Sequence, residues 1–319
     1  MEPRSRGCLI GVIAAVAALG LAVAGLLARR TGPETSPKPV PSKAVVVDEQ
    51  RPDGRRMELT IRSEALGTTT KVRLLLPDRW ESRRDWPVLW LLHGGLDDYA
   101  TWTAKTDVDR LTRGLGVMVV MPDGGRCGSY SDWWNRGRGG PPRWADYHLR
   151  ELLPLLESRY RAGQRRAVAG YSMGGQGAML YAARGYFKAA ASFSGAVDIL
   201  QPGVPQAVMA GTTLGCLGTD WKRIWGDPDE QRAIWRAHNP YDQAAKLRGV
   251  RLYVAAGRGD LVEDLANRAA RAFTARLRTL HIPVETHFSS GGHNHTTWQA
   301  ELHRALPTLL AAIGVPPRP

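Results

Sequence analysis

Apolar residues along this chain fall into two rhythms, and their alternation predicts the architecture. Residues 57–62 alternate apolar and polar, and residues 71–76 form a second strand-length segment that ends at Pro77. The next two runs, 86–93 (W-P-V-L-W-L-L-H) and 117–122 (V-M-V-V-M-P), are apolar throughout. Continuous runs of this length suit central parallel strands, which are buried on both faces. Residues 106–113 between them carry a helical pattern, and in 144–160 Leu149, Leu152, Leu153 and Leu156 recur at helical spacing. Further strands are expected at 166–170, 189–194, 250–256 and 283–288, with helices at 174–184, 264–280 and 298–313. Eight strands with helices between them predict an α/β fold with a mostly parallel eight-stranded sheet, in one domain covering 44–315. The stretch 197–239 breaks the rhythm; it is read as an insertion over the strand ends, where open α/β sheets bind ligands.

The N-terminal part follows neither pattern. Residues 8–28 are uninterruptedly apolar, with arginines on both sides, long enough to span a bilayer and also shaped like a secretory signal. Residues 1–30 are therefore expected to be a signal peptide or membrane anchor, with export in either case. Residues 31–43 hold four prolines and are expected to form an extended tether.

Composition narrows the partners. The net charge of +13 comes mostly from scattered arginines, without a basic block interleaved with aromatics, so no nucleic-acid partner is expected. Of the three cysteines, Cys8 belongs to the apolar segment. Cys127 and Cys216 remain, either as a disulfide or as two buried thiols.

The candidate chemistry centres on 168–175, V-A-G-Y-S-M-G-G, which places Ser172 in G-x-S-x-G between a strand and a helix. A serine hydroxyl needs a base within reach, and the base needs an orienting carboxylate. In chain order, Asp260 follows the strand 250–256, and His293 stands on a glycine-rich loop after the last strand. Glu263 and Asp264 compete with Asp260, which is preferred because it is nearer the strand end. His295 competes with His293, which is preferred because Gly291 and Gly292 would let its loop turn into the cleft. The amides of Met173 and Gly95, the latter in H-G-G at 93–95, are the expected oxyanion donors. No metal or organic cofactor is expected.

These segments, with Y-S-D-W-W at 130–134, S-F-S-G at 192–195 and G-G-H-x-x-x-x-W at 291–298, resemble the esterase D-like branch of the α/β-hydrolases. That group includes feruloyl esterases and the mycolyltransferases of the mycobacterial envelope. The resemblance covers about 45–313 and supports His293, because the family histidine stands five residues before a tryptophan, here Trp298. It implies a serine carboxylesterase acting on a small-molecule or lipid acyl ester, or an acyltransferase moving an acyl chain to a sugar acceptor. A catalytically silent envelope-binding module is the alternative from another class. Two departures separate the chain from mycolyltransferases. Its oxyanion turn is shorter and lacks their arginine. Their acidic residue is a glutamate on the following helix, where this chain is read to carry Ala275 and Arg276, leaving Asp260 as in feruloyl esterases.

Overall fold

The computed structural model describes residues 44–316. The apolar segment 8–28 and nearly all of the proline-rich segment lie outside the described residues. Among the described residues, no helix is long and apolar enough to cross a membrane.

A nine-stranded sheet runs in the order β1-β2-β3-β5-β4-β6-β7-β8-β9. Three antiparallel strands, β1 (Val45–Gln50), β2 (Arg56–Ser63) and β3 (Thr68–Leu75), form one side, and β3 also pairs antiparallel with β5 (Met118–Pro122). From there the pairing is parallel through β4 (Trp86–Leu92), β6 (Ala162–Tyr171), β7 (Ala189–Phe193), β8 (Arg251–Ala256) and β9 (Glu285–Phe288). The eight-strand expectation is corrected by β1. Its sequence V-V-V-D-E-Q lies on the sheet edge with every residue but Val46 exposed, so it lacks the buried face that makes a strand legible.

The central strands explain their own composition. Side chains alternate across a strand, so a strand covered on both faces needs apolar residues at every position. In β4, Val88, Trp90 and Leu92 enter one core layer while Leu89 and Leu91 enter the other. The same split separates Val254 from Tyr253 and Ala255 in β8.

Two short helices, α1 (Thr101–Lys105) and α2 (Val108–Thr112), replace the single helix expected at 106–113. The expected helix at 144–160 contains a π-helical turn, Tyr147–Leu152, before α3 (Leu153–Arg159). Then follow α4 (Met173–Ala183), the insertion helices α5 (Val204–Gly215), α6 (Lys222–Trp225) and α7 (Arg232–Ala237), and the long helices α8 (Leu261–Thr279) and α9 (His295–Ala312). The insertion has its own small core of Trp133, Ile199, Ile224, Trp225 and Trp235. Its tryptophans keep their N–H groups satisfied: Trp225 donates to Ser131 Oγ at 3.0 Å and Trp235 to the Gly226 carbonyl at 3.0 Å. Cys127 and Cys216 form a disulfide that ties the end of α5 to the loop after β5.

Candidate active site

Ser172 sits where β6 turns into α4, with φ 53° and ψ −123°. That left-handed backbone costs about 1–3 kcal/mol for a residue with a side chain, and the surroundings hold it in place. The Ser172 amide donates to the Phe193 carbonyl at 2.9 Å. The flanking glycines are required by crowding. A β-carbon on Gly170 would lie 2.3 Å from the Gly174 carbonyl oxygen, and one on Gly174 would lie 2.3 Å from the Leu92 carbonyl oxygen. Either would force strand and helix apart and move the serine.

His293 stands on the loop between β9 and α9. Its Nε2 lies 3.0 Å from Ser172 Oγ, and its Nδ1 lies 2.8 Å from Glu263 Oε2. Because a carboxylate can only accept, the neutral ring carries its proton on Nδ1 and leaves Nε2 to accept from the serine hydroxyl. The imidazole is braced edge-on by Trp298, with ring centroids 5.0 Å apart. Trp298 in turn stacks on Tyr171 at 4.2 Å. His295, the competing histidine, points elsewhere, with Nε2 3.5 Å from Asp97.

The acidic position is a correction. Glu263, not Asp260, meets the histidine ring. Asp260 is the N-cap of α8: its side chain accepts from the Glu263 amide at 2.9 Å and from the His293 amide at 2.6 Å. Those two amides, His293 first, hold its carboxyl below the usual range. Asp260 therefore positions the helix start and the histidine loop, and its oxygens are turned away from the imidazole. Asp264 is exposed and faces Arg268. Glu263, at the third helical position, is carried back under the strand ends and is fully buried. There it also accepts from Ser194 Oγ at 2.6 Å and from the Gly257 amide. Paired charge-assisted bonds of this kind are what make a buried carboxylate tolerable.

Ser194 was not singled out as a site residue, though it lies in S-F-S-G. Its hydroxyl donates to Glu263 while accepting from the Trp298 indole N–H at 3.1 Å, so it joins the acid to the residue that braces the base. The sequence signal for Glu263 was the spacing Asp260-x-x-Glu263, which marks a helix N-terminus and assigns the first residue to capping.

The two expected oxyanion donors lie side by side. Met173 opens α4, so its amide has no partner within the helix. A β-carbon built on Gly95 would have Met173 Sδ as its nearest neighbour, at 3.8 Å. The Gly95 carbonyl is held by the Cys127 amide at 2.9 Å. His93 anchors the same turn, accepting from the Gly124 amide at Nε2 and donating to the Gly94 carbonyl from Nδ1, both at 2.7 Å.

A strained serine at a strand-to-helix turn, followed in the chain by a glutamate and then a histidine that it meets in space, defines an α/β-hydrolase of the serine-esterase class. A family model described as "Putative esterase" matches residues 63–309, and the chain belongs to that family. Esterase Rv1288 of Mycobacterium tuberculosis is 34% identical over 263 residues, covering 78% of this chain; the chain spans only 58% of that relative's length. The diacylglycerol acyltransferase/mycolyltransferase Ag85B of Mycobacterium leprae is 28% identical over 287 residues, covering 82% of this chain and 85% of the relative. An S-formylglutathione hydrolase structure from Agrobacterium tumefaciens superposes with TM-score 0.71 at 20% identity, over 84% of this chain and 99% of its own, a likeness of fold.

Proposed function

We propose that the chain is a serine carboxylesterase working through an acyl-enzyme. The observation that carries this reading is the continuous relay from Ser172 through His293 to Glu263, with contacts of 3.0 and 2.8 Å. Ser172 Oγ attacks the ester carbonyl carbon as its proton passes to His293 Nε2. The Met173 and Gly95 amides take the developing oxyanion, and Glu263 stabilises the imidazolium. The proton then goes to the leaving alkoxide, releasing alcohol and leaving the acyl group on Ser172. Water, deprotonated by His293, repeats the addition and frees the carboxylic acid.

An acyltransferase reading has its own support. A glutamate on the helix after β8 is the arrangement that the resemblance attributed to mycolyltransferases, and relatives bearing that name align over most of the chain. In that case a sugar hydroxyl replaces water in the second half-reaction. The disulfide and the apolar segment 8–28 support an extracytoplasmic location, with membrane attachment through that segment if it is retained.

Turnover of a short-chain nitrophenyl ester by the wild type and Ser172→Ala tests the main reading. A loss of about 10⁴-fold or more is expected, and equal rates would sink it. Supplying trehalose and following transfer product separates transferase from hydrolase. Stoichiometric labelling of Ser172 by a fluorophosphonate rules out a silent elbow.

A further inference from the structure

Among the described residues, seven large hydrophobic side chains are exposed, and two of them, Val45 and Val47, lie on the edge strand. The other five are Leu96, Leu214, Leu217, Leu261 and Val262, with exposures of 58, 77, 87, 77 and 51%. Every one adjoins the catalytic residues in the chain or is bonded to their loops. Leu96 follows Gly95 in the oxyanion turn. Leu214 and Leu217 flank Cys216, whose disulfide partner Cys127 donates its amide to the Gly95 carbonyl. Leu96 also packs on the end of α5: a β-carbon on Gly215 would lie 2.6 Å from Leu96 Cδ2. Leu261 and Val262 stand between Asp260, which holds the His293 amide, and Glu263. Helices α5 and α8 come together where Leu265 approaches Gly203.

Single exposed leucines are ordinary, but an apolar cluster pinned around one opening marks an interaction site. The charge around it selects the occupant. Arg126, next to Cys127, and Arg258, at the end of β8, are exposed beside the same opening, on a chain of net charge +13. Apolar side chains rimmed by arginine suit an anionic lipid surface, where leucines enter the acyl region and arginines meet the headgroups. Continuity with Ser172 fits the same occupant, because an ester held in such a surface would reach the serine without crossing water.

The geometry points to a docking face for an anionic lipid surface, formed by these five residues and held in register by the Cys127–Cys216 bridge. It rests on the esterase reading only for the chemistry that docking would serve.

The test uses the full chain with vesicles of phosphatidylcholine and phosphatidylglycerol. Amide hydrogen exchange in 211–218 is expected to slow when vesicles are added, and to slow less with phosphatidylcholine alone. The double variant Leu214→Ser/Leu217→Ser is expected to lose that protection. Its turnover of a vesicle-borne ester should fall roughly tenfold relative to its own turnover of a water-soluble ester. Because that ratio is internal, impaired folding cancels, and Leu217→Glu, at a site with little packing to lose, provides a second variant. Unchanged exchange on adding vesicles, or an unchanged ratio in both variants, overturns the proposal. So does vesicle-free protection that rises with protein concentration, which would assign the face to a second copy. If the wild type turns over neither ester, the esterase reading fails while the exchange measurement still decides docking.

Discussion

Two histidines in this protein each sit between a hydroxyl and an aspartate or glutamate, and only one is built for catalysis. His148 lies in the core, with Nδ1 2.8 Å from Tyr181 Oη and Nε2 2.9 Å from the Asp123 backbone carbonyl. Its proton must therefore reside on Nε2, donated to the carbonyl, while Nδ1 accepts from the tyrosine. Burial drives its pKa down from 6.5 to about 3, so it stays neutral. His293 has the opposite setting. It is partly open at the ends of the strands, it accepts from an aliphatic hydroxyl on a strained turn, and a buried carboxylate faces its other nitrogen. A carbonyl can orient an imidazole, but a carboxylate also stabilises its protonated form, which a general base needs. Catalytic capacity here lies in the charge and openness around the ring.

Exchanging these settings yields the largest effect. His293→Ala is expected to lower kcat/KM for a soluble ester by about 10⁴-fold or more, whereas His148→Gln should change it little once the folded fraction is matched. Steady-state rates normalised by active-site titration distinguish the two. Comparable catalytic losses in both would erase the distinction.

Next in size is the bridge that holds the α5 end against the oxyanion turn. Cys127 and Cys216 are 89 residues apart, so Cys127→Ser/Cys216→Ser should lower unfolding stability by about 2–4 kcal/mol. Denaturant midpoints at equal slope report this, and an unchanged midpoint would show that the insertion is held by its tryptophan core alone.

The buried histidine supplies a pH test. Its folded pKa is depressed, so below pH 6.5 the unfolded chain binds the proton that the folded chain refuses. Its contribution is therefore complete above about pH 6.5 and is lost as pH falls toward about 3, with a limiting slope of about 1.4 kcal/mol per pH unit. His148→Gln should flatten that part of the stability profile; identical slopes would contradict the assignment. The smallest effect belongs to the helix cap. Asp260→Ala should cost about 1 kcal/mol of stability and only a modest part of the rate, because it removes a brace on the His293 loop.

The same contrast explains what was legible in the sequence. The parallel strands were readable because burial on both faces leaves no polar position in β4 or β5. Ser172 and His293 were readable because the turns that present them need small residues beside them. Glu263 was not, because nearness to the strand end favoured Asp260. One turn of helix reverses that order in space, swinging the third helical residue inward while the first carboxylate is used up on backbone amides. Ala275 and Arg276 misled the comparison with mycolyltransferases for the same reason, since the glutamate on that helix lies in its first turn. β1 was missed because an edge strand with exposed valines has no periodicity to read. The role of Ser194 arises only where β7, α8 and α9 converge.

The central claim is that Glu263, and not Asp260, completes the relay. The most direct test is kcat/KM for a short-chain nitrophenyl ester with Glu263→Gln and Asp260→Asn measured side by side. Glu263→Gln is predicted to lose about 10⁴-fold, as expected when the imidazole loses its carboxylate, while Asp260→Asn should stay within about tenfold of wild type. The reverse ranking would contradict the account.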